Sequence, residues 1–214
     1  MGLTVKASGG SSTFKPVQSG MHLARCYRIV DMGTQITTWK GVSKEQPKVM
    51  LQFEVHSEDA DGNAVVTDKG EPMSISKNFT ASLEEKAILR QELENWRSRA
   101  FSKEELKGFH LKNVLGAWAM LSVVKEVGND GNEYTNISSI NPVSSQIKKA
   151  GLPDGHNELK IFDLKEPDMA LFETFGNKIK EKIQSTPEWN KKILPTPKQA
   201  PSSGFDDMTD DVPF

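Results

Sequence analysis

The sequence is poor in several things that would have pointed to a function at once. It has one cysteine in 214 residues, so no internal disulfide forms, as suits a reducing compartment. Cys26 has no ligand-spaced partner and reads as a small core residue. No apolar run is long enough to span a bilayer: the stretch 114–124 is broken by Gly116 and Ser122 and falls short of the ~20 residues needed. The beginning, MGLTVKASGGSSTF, lacks the apolar centre of an export signal. There is no GxxxxGK[ST] phosphate loop, no GxSxG elbow and no HExxH, and His22, His56, His110 and His156 are scattered. Asp59 to Asn63 begins like a calcium loop, but its twelfth position is Gly70 where a bidentate Glu is needed, so a turn is expected. Neither an enzyme nor a bound metal or cofactor is predicted.

What the chain does have is asymmetric charge. Its formal net charge is -2, and Asp206, Asp207, Asp210 and Asp211 all lie in the last ten residues, so the rest carries +2. A mildly basic body thus ends in an acidic tip. Residues 1–19, with Gly9-Gly10-Ser11-Ser12, read as a flexible arm. Residues 194–214 begin with the proline-rich, unpatterned LPTPKQAPSSG and read as a disordered linker carrying the tip.

Between these ends the apolar spacing predicts an order of elements. GMHLARCYRIVD alternates imperfectly and gives a first strand; MGTQITTWKGVSKEQP reads as a polar loop; KVMLQFEVH puts Val49, Leu51, Phe53 and Val55 on one face of a half-buried second strand. PMSISKNFT gives a third. In SLEEKAILRQELENWRSR, Ser82 with Glu85 forms a capping box and Leu89, Leu93 and Trp96 recur at helical spacing. A second capping box, Ser102 with Glu105, starts a short helix ending near Gly108. AWAMLSVVKEV and EYTNISSI flank a tight turn at 129–132 and make a hairpin. Five strands with a helix between the third and the fourth is the order of an OB-fold, a small Greek-key barrel, here over 20–143. Residues 144–193 follow as a polar connector and one amphipathic helix near 166–184, with Met169, Leu171, Phe172, Phe175, Ile179 and Ile183 on its apolar side.

Such a barrel binds single strands by stacking bases on exposed rings and lining phosphates with cations. Trp39, beside Lys40 in the polar loop, is the leading candidate ring, with a lid over the barrel end as the alternative role. Tyr27 and Tyr134 are weaker candidates, because strand aromatics are more often packed, and Trp118 is ambiguous. Arg25, Arg28, Lys40, Lys44, Lys48, Lys77 and Lys112 fall on or beside the strands, where they are candidates for phosphate contacts or plain solvated charge.

The terminal Asp206, Asp207, Asp210, Asp211, Val212, Pro213 and Phe214 resemble the C-terminal tip of bacterial single-stranded DNA-binding proteins. An acidic solubility tail accounts for the aspartates but not for Val-Pro-Phe. The stretch 79–124 with its flanking strands looks like the barrel segment of single-stranded DNA-binding proteins of tailed bacteriophages and prophages, a resemblance covering about 20–143. It implies a non-catalytic protein of phage replication, recombination and repair in the bacterial cytoplasm. Its partners would be single-stranded DNA and host enzymes that dock the tip, with no membrane; a homo-oligomer is left open. The rivals are an interaction protein that imitates the tip without binding DNA, and a nuclease or annealing factor.

Overall fold

The computed structural model describes residues 16–58, 62–128, 131 and 133–193. The acidic tip, the linker from 194, the arm up to 15 and most of the 129–132 turn lie outside the described residues. Six strands occur among those described: β1 (Gly20–Trp39), β2 (Val42–Val55), β3 (Ser74–Thr80), β4 (Trp118–Val127), β5 (Glu133–Asn141) and β6 (Lys160–Phe162). They form one sheet in the order β3-β2-β1-β4-β5, antiparallel throughout, with β6 added parallel to β1 at residues 28–30.

The sheet is mainly antiparallel and is not closed by a ladder. Its two ends, β3 and β5, are stitched by side chains from α1 (Ile88–Arg97). Glu92 on this helix takes Lys77 Nζ from β3 at 2.5 Å and the backbone N–H of Ile140 from β5 at 2.7 Å, while Lys77 also donates to the Ser138 carbonyl. One carboxylate therefore satisfies an edge amide that would otherwise be buried and unpaired. The predicted apolar positions of the helix hold, with Leu89, Leu93 and Trp96 buried against Phe53, Val55 and Leu121 in one core. Its predicted start does not hold. Ser82 Oγ accepts instead from Glu84 N in a local turn, and the helix begins at Ile88. The second box is present, since Ser102 and Glu105 cap each other at the start of α2 (Lys103–Lys107).

The second half of β2, residues 49–55, is buried on both faces, not half-buried. Met50 and Glu54, on the face opposite Leu51 and Phe53, are 2% and 0% exposed. They are covered by residues 144–193, which build a second core from Val30, Met32 and Met50 of the sheet with Phe162, Phe172, Phe175, Ile183 and Trp189. The single helix expected near 166–184 is broken by Thr174–Gly176 into α4 (Met169–Glu173) and α5 (Asn177–Gln184), followed by α6 (Pro187–Ile193). Asp168 caps α4, and Thr186 Oγ1 accepts from Trp189 N at the start of α6. The break lets Trp189 stack on Phe172 at 4.5 Å, which a straight helix would keep apart, and Phe172 also stacks on Phe162 of β6 at 5.8 Å. The polar connector contains α3 (Ser145–Ala150) and an irregular strap over 151–159.

The expected loop at 32–47 is strand. β1 and β2 run past the end of the sheet as a two-stranded arm, residues 33–39 paired with 42–48, about 20 Å long at ~3.3 Å per residue. Lys40 and Gly41, at φ 49° and 79°, form the turn, the two positive values of a type I′ hairpin. Solvent bathes both faces of the arm's outer part, with Ile36 72% and Val42 59% exposed, so no apolar alternation marks these strands. Their β-branched Thr34, Ile36, Thr37, Thr38 and Val42 suit extended backbone all the same. At the arm's root Gly33, at φ 64°, packs so closely under Leu164 and Thr186 that a Cβ would stand 2.8 Å from each.

Candidate nucleic-acid interface

Three of the sequence candidates lie under the strap and the C-terminal helices. Arg25 pairs with Glu54 Oε1 at 2.7 Å and donates to the Asn157 carbonyl at 2.5 Å, with 14% of its side chain exposed. Glu54 also accepts from His156 N, from Asn157 N and from the Asn157 side-chain amide, and His56 Nε2 stands 3.1 Å away. Burial pushes the Glu54 carboxyl up, but the Asn157 donors, His56 and Arg25 outweigh it and hold it below the ordinary carboxylate range. Tyr27 is the extra residue of a bulge in β1, 6% exposed, its hydroxyl 3.3 Å from Ser74 Oγ. The Arg28 guanidinium lies 5.3 Å from the Tyr27 ring and 5.6 Å from the Phe175 ring. The expectation of a solvent-facing Arg25, Tyr27 and Arg28 is thus corrected. Its physical cause is the second layer: residues 144–193 cover the sheet face on which these side chains sit.

Of the other candidates, Lys48, Lys77 and Lys112 gather where the arm joins the sheet. Lys48 Nζ is held by two neutral oxygens, Gln46 Oε1 at 2.9 Å and Thr80 Oγ1 at 2.8 Å, so its charge meets no carboxylate in those contacts. Lys48 lines two clefts at once. One, of about 590 Å³, also holds Lys112, Lys165, Phe109 and His110. The other, of about 500 Å³, holds Lys77 and Lys86. Among the described lining residues these five lysines outnumber the carboxylates Asp31, Asp163 and Glu84. Burial raises the Asp31 carboxyl above its ordinary range, against the backbone N–H of Gly33 and of Leu164, which favour its charged form. Lys77 faces the second of these clefts, the one with Lys86, from the seam, where its pairing with Glu92 offsets its charge.

From Lys48 the strand β2 leads back through Lys44 to the arm's turn, with Lys40 and Trp39 at its tip. Trp39 is placed by its backbone alone, opposite Val42. Sequence reasoning missed Lys86 and Lys165 because neither is on a strand; only the fold brings both to the clefts of Lys48. Tyr134 is 48% exposed on β5, away from these clefts' linings. The face of β3 beside the covered layer is neutral, with Ser74, Ser76 and Asn78 exposed.

Cys26 is buried, and burial pushes its thiol up to about 12, which makes it unreactive at neutral pH. Among the described residues no group of three or more His, Cys, Asp or Glu side chains could hold a metal ion, and no helix is long and apolar enough to cross a membrane. No protein-family model matches the chain, and no curated protein matches it by sequence.

Proposed function

We propose that this chain is a non-catalytic single-stranded DNA-binding protein built on an OB-like barrel, with the strand running along the β1–β2 arm from its tip to its base. The observation that carries this reading is Lys48, held by neutral partners between two lysine-rich clefts. Strand order supports it too, since β3-β2-β1-β4-β5 with a helix across the open seam is the OB arrangement short of a closing ladder. In this reading the lysines follow phosphates and Trp39 supplies a stacking platform worth ~1–3 kcal/mol per base. The acidic tip with Phe214 recruits host replication, recombination and repair enzymes, the ring entering an apolar pocket and the aspartates meeting a basic rim.

The test is fluorescence anisotropy of a labelled oligo-dT with the whole chain, the chain ending at Gly204, Trp39→Ala and Lys48→Glu. Binding by the whole chain, weaker for both point variants and tighter without the tip, supports the reading. A labelled strand left intact in magnesium argues against a nuclease. The neutral face of β3 favours a second reading, in which the chain imitates the tip to occupy host enzymes. Absence of binding with and without the tip would select it.

A further inference from the structure

A third cleft, of about 600 Å³, adjoins the Lys112 cleft across Phe109, which is a wall of both. Its cations come from two distant segments. Arg97 and Arg99 flank the end of α1, where Ser98, at φ 53°, reverses the chain so that both guanidiniums reach Glu105. Lys148 comes from α3, and Trp118, half-buried, completes the wall.

Glu105 is the sole carboxylate among the described lining residues, and it is saturated. It accepts from Arg97 Nη2, from Arg99 Nη1 and Nη2 at 3.2 and 2.9 Å, and from Ser102 N at 3.0 Å. Two oxygens with about four lone-pair sites have four donors, so no acceptor remains for Lys148. One carboxylate serves two guanidiniums, leaving the cleft with a surplus of positive charge. Arg97 lies against the paired Phe101 and Phe109 rings, at 4.4 and 4.9 Å, and its Nη1 has no hydrogen-bond partner. The Arg99 side chain, 60% exposed, and the exposed Lys148 stand at the cleft opening.

We propose that this cleft binds the phosphate backbone of a single strand continuing past Phe109 from the Lys48 clefts, with Arg99 and Lys148 meeting phosphates and Trp118 available to a base. This rests on the DNA-binding reading and extends it to a second segment of the strand. A strand fits better than a free nucleotide because the cleft shares a wall with a second lysine-lined cleft, so charge continues beyond one nucleotide's reach.

The test uses the whole chain and a length series of labelled oligo-dT at several salt concentrations. The double variant Arg99→Glu/Lys148→Glu changes only exposed side chains, and an unchanged unfolding midpoint checks that it folds. It is expected to bind the shortest oligomers like the unaltered protein and long ones more weakly. For long oligomers its log-log salt slope should be shallower by about 1.4, two phosphates at ~0.7 each. Equal affinity at every length, while Lys48→Glu still weakens binding, overturns the third cleft and leaves the DNA reading standing. If the variant loses thymidine 5′-monophosphate binding but keeps long-oligomer affinity, the cleft serves a free nucleotide and the proposal is likewise overturned. No binding of any oligomer by the unaltered chain overturns both.

Discussion

Glu54 is a carboxylate with no exposed surface on the face of a strand that alternation alone would leave in water. It stays ionised there because Arg25, His56 and the Asn157 donors surround it, and the same contacts hold the strap on the sheet. Removing one partner of a buried pair leaves the other charged and unpaired, so Glu54→Ala is expected to cost about 3–5 kcal/mol, read from urea unfolding at pH 7. The pH dependence has a definite sign. A carboxyl whose folded pKa is lowered contributes stability fully above its unfolded value near about 4.3, and this is lost as pH falls through the lowered folded value. Between pH 6 and pH 3 the unaltered protein should therefore lose more stability than Glu54→Gln does. Equal losses in the two proteins would remove Glu54 from the acid response.

The arm shows how an element forms without a core. Residues 33–39 and 42–48 pair across a Lys40-Gly41 turn. Gly33, Thr34 and Gln35 at the root meet Thr186, Glu188 and the Lys182 carbonyl, while Ile36, Thr37 and Thr38 and residues 42–45 are exposed, so backbone hydrogen bonds and turn chemistry hold the outer part together. Gly41→Val places a β-branched residue at φ 79°, a conformation costing an L-residue roughly 1–2 kcal/mol. Because the arm extends beyond the sheet, that cost falls locally. Amide exchange protection at Thr37 and Thr38 should drop while the global unfolding midpoint stays in place, and oligo-dT affinity should fall with it. A lowered global midpoint would mean that the arm is coupled to the core. The same feature explains what was legible in the sequence. The strands around Leu51, Phe79 and Leu121 and the helix with Leu89, Leu93 and Trp96 announce themselves because one face is apolar. The arm has no apolar face and reads as a loop. β6 is three residues long and too short to show a period, and Lys48 joins Lys112 and Lys165 only through folding.

At the scale of the molecule, the two layers share strands: Val30 and Met32 of β1 and Met50 of β2 face the second core, while Ile29, Val49 and Leu51 beside them face the first. The sequence suggests a boundary at 143, yet beyond it lie β6, which pairs with β1, and every helix that covers Met50. A chain ending at Val143 would bare Val30, Met32 and Met50, each worth about 1.5–3 kcal/mol when buried. It would also take the Asn157 donors from Glu54 and the Leu164 and Thr186 cover from Gly33. Losses of that size approach the whole ~5–15 kcal/mol by which a domain is stable. The shortened chain should bind a hydrophobic dye at neutral pH, lose its near-ultraviolet circular dichroism and unfold without a sharp transition in urea. A cooperative transition at the full chain's midpoint would instead show that the first core folds alone and that residues 144–193 are an added cover.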